Sequence, residues 1–266
     1  MEWTTVAAAK GATCRVLKGG SGPDLVFLHG AGGLTDDDPF LVQLADSHSV
    51  YAPELPGFGE STGEELLEDM LDFTLHSLDV IDALGLDAPV LAGHSMGGMI
   101  AAEVACVCPH SVGRLVLLAP AGLWLDSDPV ADIFSVLPHD LPGLLFHDPV
   151  AGAGLLGGGL DFSDDEALIE FFVDNARRLG TAGKILFPIP DRRLSKRLYR
   201  LRAETLLVWG ESDRVIPPVY ASAWAAALPV EPPVVVLPEA GHMLTVEQPK
   251  AAAEAVLGWL TGLGVN

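Results

Sequence analysis

The sequence predicts an α/β architecture: a mostly parallel central sheet flanked by helices and interrupted by one helical insertion. Three observations carry this reading. From Asp24 to Ala119, short apolar runs of strand length alternate with stretches of helical periodicity, the order that builds a parallel sheet covered on both faces. From about Leu123 to about Leu201 the strand signal vanishes, and it returns at Thr205-Leu-Leu-Val-Trp209. At Pro89 an apolar run meets Gly93-His94-Ser95-Met96-Gly97, and a helical pattern follows directly.

Residues 4–18 read as one or two short strands ending at the Lys18-Gly-Gly-Ser-Gly-Pro turn. Asp24-Leu-Val-Phe-Leu-His29 is the first strong buried strand and stops at Gly30-Ala-Gly-Gly33. A short helix over 39–45 and a strand over 49–53 follow, then the turn-rich Glu54-Leu-Pro-Gly-Phe-Gly-Glu-Ser61. Leu66 to Leu84 has helical spacing with acids toward its start, where the helix dipole favours them, and Gly85 is its stop. A strand at 89–92, a helix at 96–107 and a strand at 114–119 complete the first part. Within the insertion lie a glycine-rich stretch at 152–159 and a helix from Ser163 to Leu179, opened by the capping box Ser163-Asp-Asp-Glu166. A strand at 233–237 and an amphipathic helix at 250–260 close the chain. The reading is therefore one core (1–122 and 202–266) carrying a helical cap (123–201), not two sequential domains.

With 266 residues, 49% of them hydrophobic and 19% charged, the chain can bury a sizeable core and has no disordered signature. Its net charge is 15 − 36 = −21. This excludes nucleic acid and anionic membrane surfaces as natural partners and fits an acidic, solubilising surface or a salt-adapted source. Three cysteines (Cys14, Cys106, Cys108) point to a reducing compartment without a disulfide framework. Cys106 and Cys108, two apart on a predicted helix, do not share a face. No apolar run approaches about 18 residues and no basic leader precedes an apolar core. The expectation is a soluble cytoplasmic protein.

Strand, sharp turn and helix around Ser95 are what a nucleophile elbow requires. The turn forces Ser95 toward φ > 0, and side chains at 93 and 97 would strike the neighbouring strand and helix. Serine needs a base, and the base needs an orienting partner. Asp213 follows the strand at 205–209 and His242 follows the strand at 233–237, both beyond strand ends, where ligands gather in open α/β sheets. Glu211 and Asp126 are weaker candidates for the acid. An oxyanion hole needs two backbone N–H donors. Met96, after the nucleophile, supplies one, and Ala31 in the glycine-rich loop the other, with Gly32 as the alternative. Gly32, Trp124, Val215 and Met243 are the expected substrate contacts. The stretch at 152–159 lacks a G-x-G-x-x-G after a strand and is no nucleotide loop. No cluster of His, Cys and carboxylates has metal-ligand spacing, so no cofactor or metal is expected. Arg192, Arg193, Lys196, Arg197, Arg200 and Arg202 form a basic cluster whose spacing would put several on one helix face. It reads either as pairing with the acidic core or as recognition of a carboxylate or phosphate.

These residues resemble the α/β-hydrolase-fold serine hydrolases over nearly the whole chain. The match rests on His29-Gly30, on Glu54-x-Pro56-Gly57-x-Gly59-x-Ser61, on Gly93-His94-Ser95-Met96-Gly97-Gly98, on Gly210-Glu-Ser-Asp213 and on Gly241-His242. The resemblance implies Ser95 as nucleophile, His242 as base and then acid, and Asp213 as its partner, beneath a cap at 123–201. Glu54 stands where many relatives carry Asp. Ser95 speaks against epoxide hydrolases and haloalkane dehalogenases, which have an acid there. Ser-Met-Gly-Gly and Arg114-Leu-Val-Leu resemble hydrolases that cleave carbon–carbon bonds of ring-fission products. Those usually have Asn before the nucleophile and Trp after the triad His, where this chain has His94 and Met243. The expected activity is thus hydrolysis of a small-molecule carboxylic ester through an acyl-Ser95 intermediate, with C–C or lactone hydrolysis as the alternative and a ligand-binding receptor as a remote one. A homodimer is compatible with the sequence.

Overall fold

The computed structural model describes residues 1–156, 164–187 and 191–262. Its strands are β1 (Glu2–Ala7), β2 (Thr13–Gly19), β3 (Asp24–Leu28), β4 (Ser49–Pro53), β5 (Val90–His94), β6 (Arg114–Leu118), β7 (Glu204–Gly210) and β8 (Val234–Leu237). They form a sheet ordered β1-β2-β4-β3-β5-β6-β7-β8. β1 pairs with β2 and β2 with β4 antiparallel, and every later pairing is parallel. The chain is an α/β-hydrolase fold. β3, β5, β6 and β7 are almost wholly buried, as strands covered on both faces must be, which is why they read as continuous apolar runs rather than alternating ones.

Helices α1 (Pro39–Leu44), α2 (Met70–Ala83), α3 (Met96–Val107), α4 (Leu141–Leu145), α5 (Pro149–Leu156), α6 (Asp165–Leu186), α7 (Val219–Ala227), α8 (Leu244–Glu247) and α9 (Pro249–Leu260) accompany the sheet. Asp38 and Asp69 cap α1 and α2, each accepting two backbone N–H groups, one of the strongest local signals for a helix start. α4, α5 and α6 all lie between β6 and β7. Among the described residues no helix is long and apolar enough to cross a membrane.

The structure differs from the sequence reading in several places. Ser163, the expected cap of α6, lies outside the described residues, and Asp164 caps that helix by accepting the N–H groups of Glu166 and Ala167. α6 also runs past Leu179 to Leu186. Of the glycine-rich stretch, the residues up to Leu156 are helical, and 157–159 lie outside the described residues.

The basic cluster forms no helix face. Arg193 sits at φ 60° and the chain makes two 3-10 turns, Leu194–Lys196 and Leu198–Arg200. Arg192 donates to the carbonyls of Lys184, Ile185 and Phe187 at the end of α6, Arg197 pairs with Glu103 of α3, and Arg200 Nε donates to the Cys106 carbonyl at 2.6 Å. These three cations are thus engaged with the protein itself.

Candidate active site

Ser95 occupies the one-residue turn between β5 and α3, at φ 53° and ψ −114°. A residue with a Cβ held there stores about 1–3 kcal/mol of strain, and the surroundings fix it. Its N–H donates to Leu118 O at 2.9 Å, and its carbonyl accepts from Met99 at 3.1 Å and Ala121 at 3.0 Å. A Cβ on Gly97 would collide with the Leu28 carbonyl, and one on Gly93 with the Gly97 backbone. The tight turn therefore depends on both glycines.

Asp213 lies in the turn after β7 with its side chain fully shielded from solvent. Its Oδ1 accepts the N–H groups of Val215 and Ile216, both at 2.9 Å, which fixes the carboxylate before any partner arrives. Oδ2 lies 2.8 Å from His242 Nδ1, and His242 Nε2 lies 2.8 Å from Ser95 Oγ. A carboxylate only accepts, so Nδ1 carries the proton and Nε2 offers its lone pair to the serine hydroxyl. Glu211 is exposed and Asp126 accepts from Trp124 Nε1 at 2.9 Å. Asp213 is the acid that meets His242.

The His242 loop is fastened on several sides. Gly241 N–H donates to Glu247 Oε2 at 2.6 Å, whose other oxygen accepts His147 N–H at 2.6 Å. Met243 N–H donates to Leu145 O at 3.1 Å, and His94 Nε2 lies 2.8 Å from the His242 carbonyl. The segment 145–147 is thereby sewn to the loop carrying His242.

The loop 29–33 faces Ser95. His29 Nε2 accepts Leu55 N–H at 3.0 Å, so its proton sits on Nδ1 and is donated to Gly30 O at 2.7 Å. Burial pushes the His29 imidazole down to about 4, leaving it neutral. Gly33 N–H closes a turn on Gly30 O at 3.1 Å, and Arg178 of α6 donates to Gly32 O at 3.0 Å. Among the described residues neither Ala31 N–H nor Met96 N–H has a protein acceptor.

A cavity of about 240 Å³ opens beside Ser95 and His242. Gly32, Trp124, Val215 and Met243 all line it, as does Ala31, while Met96 is buried and is not part of its wall. Most of the remaining wall is apolar, including Met99, Leu123, Leu145 and Leu179. The sequence reading uses His94 only as a departure from the C–C hydrolase pattern, and it does not single out Arg178 or Glu247. His94 was visible inside the elbow motif, whereas Arg178 lies 146 residues from the Gly32 carbonyl it holds and has no local signature.

The sequence profile of the alpha/beta hydrolase family matches residues 25–255. Over 257 residues the chain is 31% identical to the dihydrolipoyllysine-residue acetyltransferase component of the acetoin cleaving system of Pseudomonas putida, covering 92% of this chain but only 65% of that protein. It is 26% identical to a 2-hydroxy-6-oxo-6-phenylhexa-2,4-dienoate hydrolase of Burkholderia cepacia, covering 91% of this chain and 88% of the relative. Among solved structures, a membrane phospholipase A described as a bacterial virulence factor superposes with a TM-score of 0.81 at 26% identity, over 98% of this chain and 86% of the other. A meta-cleavage product hydrolase from Pseudomonas fluorescens IP01 reaches a TM-score of 0.78 at 19% identity over 98% of both chains and shares the fold. Fold, matched profile and relatives agree: the chain belongs to the alpha/beta hydrolase family.

Proposed function

We propose that this protein is a serine hydrolase that cleaves small to medium carboxylic esters through an acyl-Ser95 intermediate. The observation that carries the reading is the unbroken relay Asp213–His242–Ser95, with 2.8 Å at each link, opening onto a largely apolar cavity. His242 Nε2 takes the hydroxyl proton as Ser95 Oγ attacks the ester carbonyl, and buried Asp213 stabilises the imidazolium that forms. The tetrahedral oxyanion is held by the N–H groups of Ala31 and Met96, the latter at the positive end of α3. His242 returns the proton to the departing alcohol, and water repeats the sequence to release the acid. Segment 123–201 acts as the cap, supplying Trp124 and Leu179 to the cavity wall.

The B. cepacia relative favours a second reading, cleavage of a carbon–carbon bond or a lactone. Such a ring-fission dienoate carries a carboxylate. Arg192 is the cation in the cavity wall among the described residues, and it is committed to three backbone carbonyls. This weighs toward esters. The test is a series of p-nitrophenyl esters of increasing chain length beside a dienoate and lactones. Ester turnover that falls by about 10⁶ in kcat in Ser95→Ala supports the proposal. Faster turnover of dienoates or lactones transfers the assignment to the second reading, and activity surviving in Ser95→Ala removes both.

A further inference from the structure

We infer that His94 is a positioning residue: its Nε2–H grips the main-chain carbonyl of His242 and so sets the base against Ser95. The inference rests on the serine-hydrolase reading above. His94 ends β5, next to Ser95, and its ring is buried, 5.1 Å from the His242 ring and tilted 43° to it. A carbonyl only accepts, so the 2.8 Å contact requires the proton on His94 Nε2. Burial, reinforced by the neighbouring His242, pushes the His94 imidazole down to about 3. It stays neutral, with that one proton in place, throughout the neutral range.

The bond spans 148 residues. β5 and β8 are not neighbours, since β6 and β7 stand between them, so no sheet pairing ties their loops together. Two consecutive residues instead hold His242 at two points: Ser95 meets the ring and His94 meets the backbone. Gly30 makes room for this, because a Cβ there would lie 2.9 Å from His94 Nδ1. With the main chain anchored, the imidazole keeps the orientation its proton transfer needs.

The chemistry of position 94 discriminates between reach and volume. Gln carries its amide nitrogen about where the imidazole Nε2 sits, Asn carries it one methylene short, and Phe fills the space without a donor. The experiment compares His94→Gln, His94→Asn and His94→Phe, each checked by thermal melting and normalised to folded protein. The readouts are the rate at which a fluorophosphonate labels Ser95 and the kcat and KM for p-nitrophenyl butyrate. The expected result is that Gln labels about tenfold faster than Asn and Phe, the size of effect one hydrogen bond gives, with the losses in kcat and not in KM. If Phe fails to fold, the Gln-to-Asn ratio decides. Asn or Phe equal to Gln, or losses in KM alone, overturn the inference while leaving the hydrolase reading intact. No labelling of Ser95 in the unaltered protein overturns both.

Discussion

Asp213 divides its two oxygens between structure and partner: Oδ1 is held by Val215 and Ile216, and Oδ2 faces His242 Nδ1 at 2.8 Å. The carboxylate is therefore oriented by its own turn, and the imidazole is oriented by the carboxylate.

This division makes Asp213→Asn a clean test. The amide oxygen can keep the two N–H bonds, so the turn survives and the melting temperature stays close to that of the unaltered protein. The amide nitrogen then points a donor at His242 Nδ1 and drives the ring into the other tautomer, with Nε2 already protonated. Ester hydrolysis should fall about 10⁴-fold in kcat. A loss below tenfold would remove Asp213 from the proposed role.

Glu103 is buried in α3, its side chain 4% exposed, and Arg197 is its partner. Replacing Arg197 by Met leaves a charge without compensation in the interior. Arg197 itself is 37% exposed, so solvent screening reduces the effect. The expected loss is about 2 kcal/mol in urea unfolding. The double variant Glu103→Gln with Arg197→Met should recover part of it. Equal losses in the single and double variants would show that the pair does not act as a pair.

Three buried histidines make stability fall on acidification. Burial pushes His29 and His76 down to about 4 and His94 to about 3, from 6.5. Below pH 6.5 the unfolded chain takes up protons that the native protein refuses, so stability drops as pH falls toward 4, by about 1.4 kcal/mol per pH unit for each histidine. His76 isolates the effect, because among the described residues its Nε2 has no hydrogen-bond partner. In His76→Phe, stability relative to the unaltered protein should rise between pH 7 and pH 5, read from urea melts. Parallel curves over that interval would refute the assignment.

How far the sequence could be read follows from how local each signal is. The alternation of strands and helices, the turn at Ser95 and the loops bearing Asp213 and His242 are each encoded within a dozen residues, and the fold and the meeting of these three side chains were legible from them. α7 was not read, because Val219-Tyr-Ala-Ser-Ala-Trp-Ala-Ala-Ala227 offers small residues with little contrast between faces. The spacing of the basic cluster would put several of its residues on one helix face, yet Arg197 and Arg200 are placed by a carboxylate and a carbonyl of α3, each 94 residues away. The fastenings of the site have the same character: Arg178 to Gly32 and His94 to His242 exist only once the chain has folded.

On the proposed reading, the positive-φ backbone at Ser95 sets chemistry and durability against each other. Glycine adopts that conformation without the strain a side chain incurs, so a Ser95→Gly protein is a silent but sturdy copy, folded at least as firmly as its parent. Loss of the hydroxymethyl group alone should leave the surrounding fold and the neighbouring cavity in place. Under the proposed ester hydrolysis, molecules of this kind would persist beside working ones, and in the laboratory they would serve as a stable trap for holding an uncleaved ester in place.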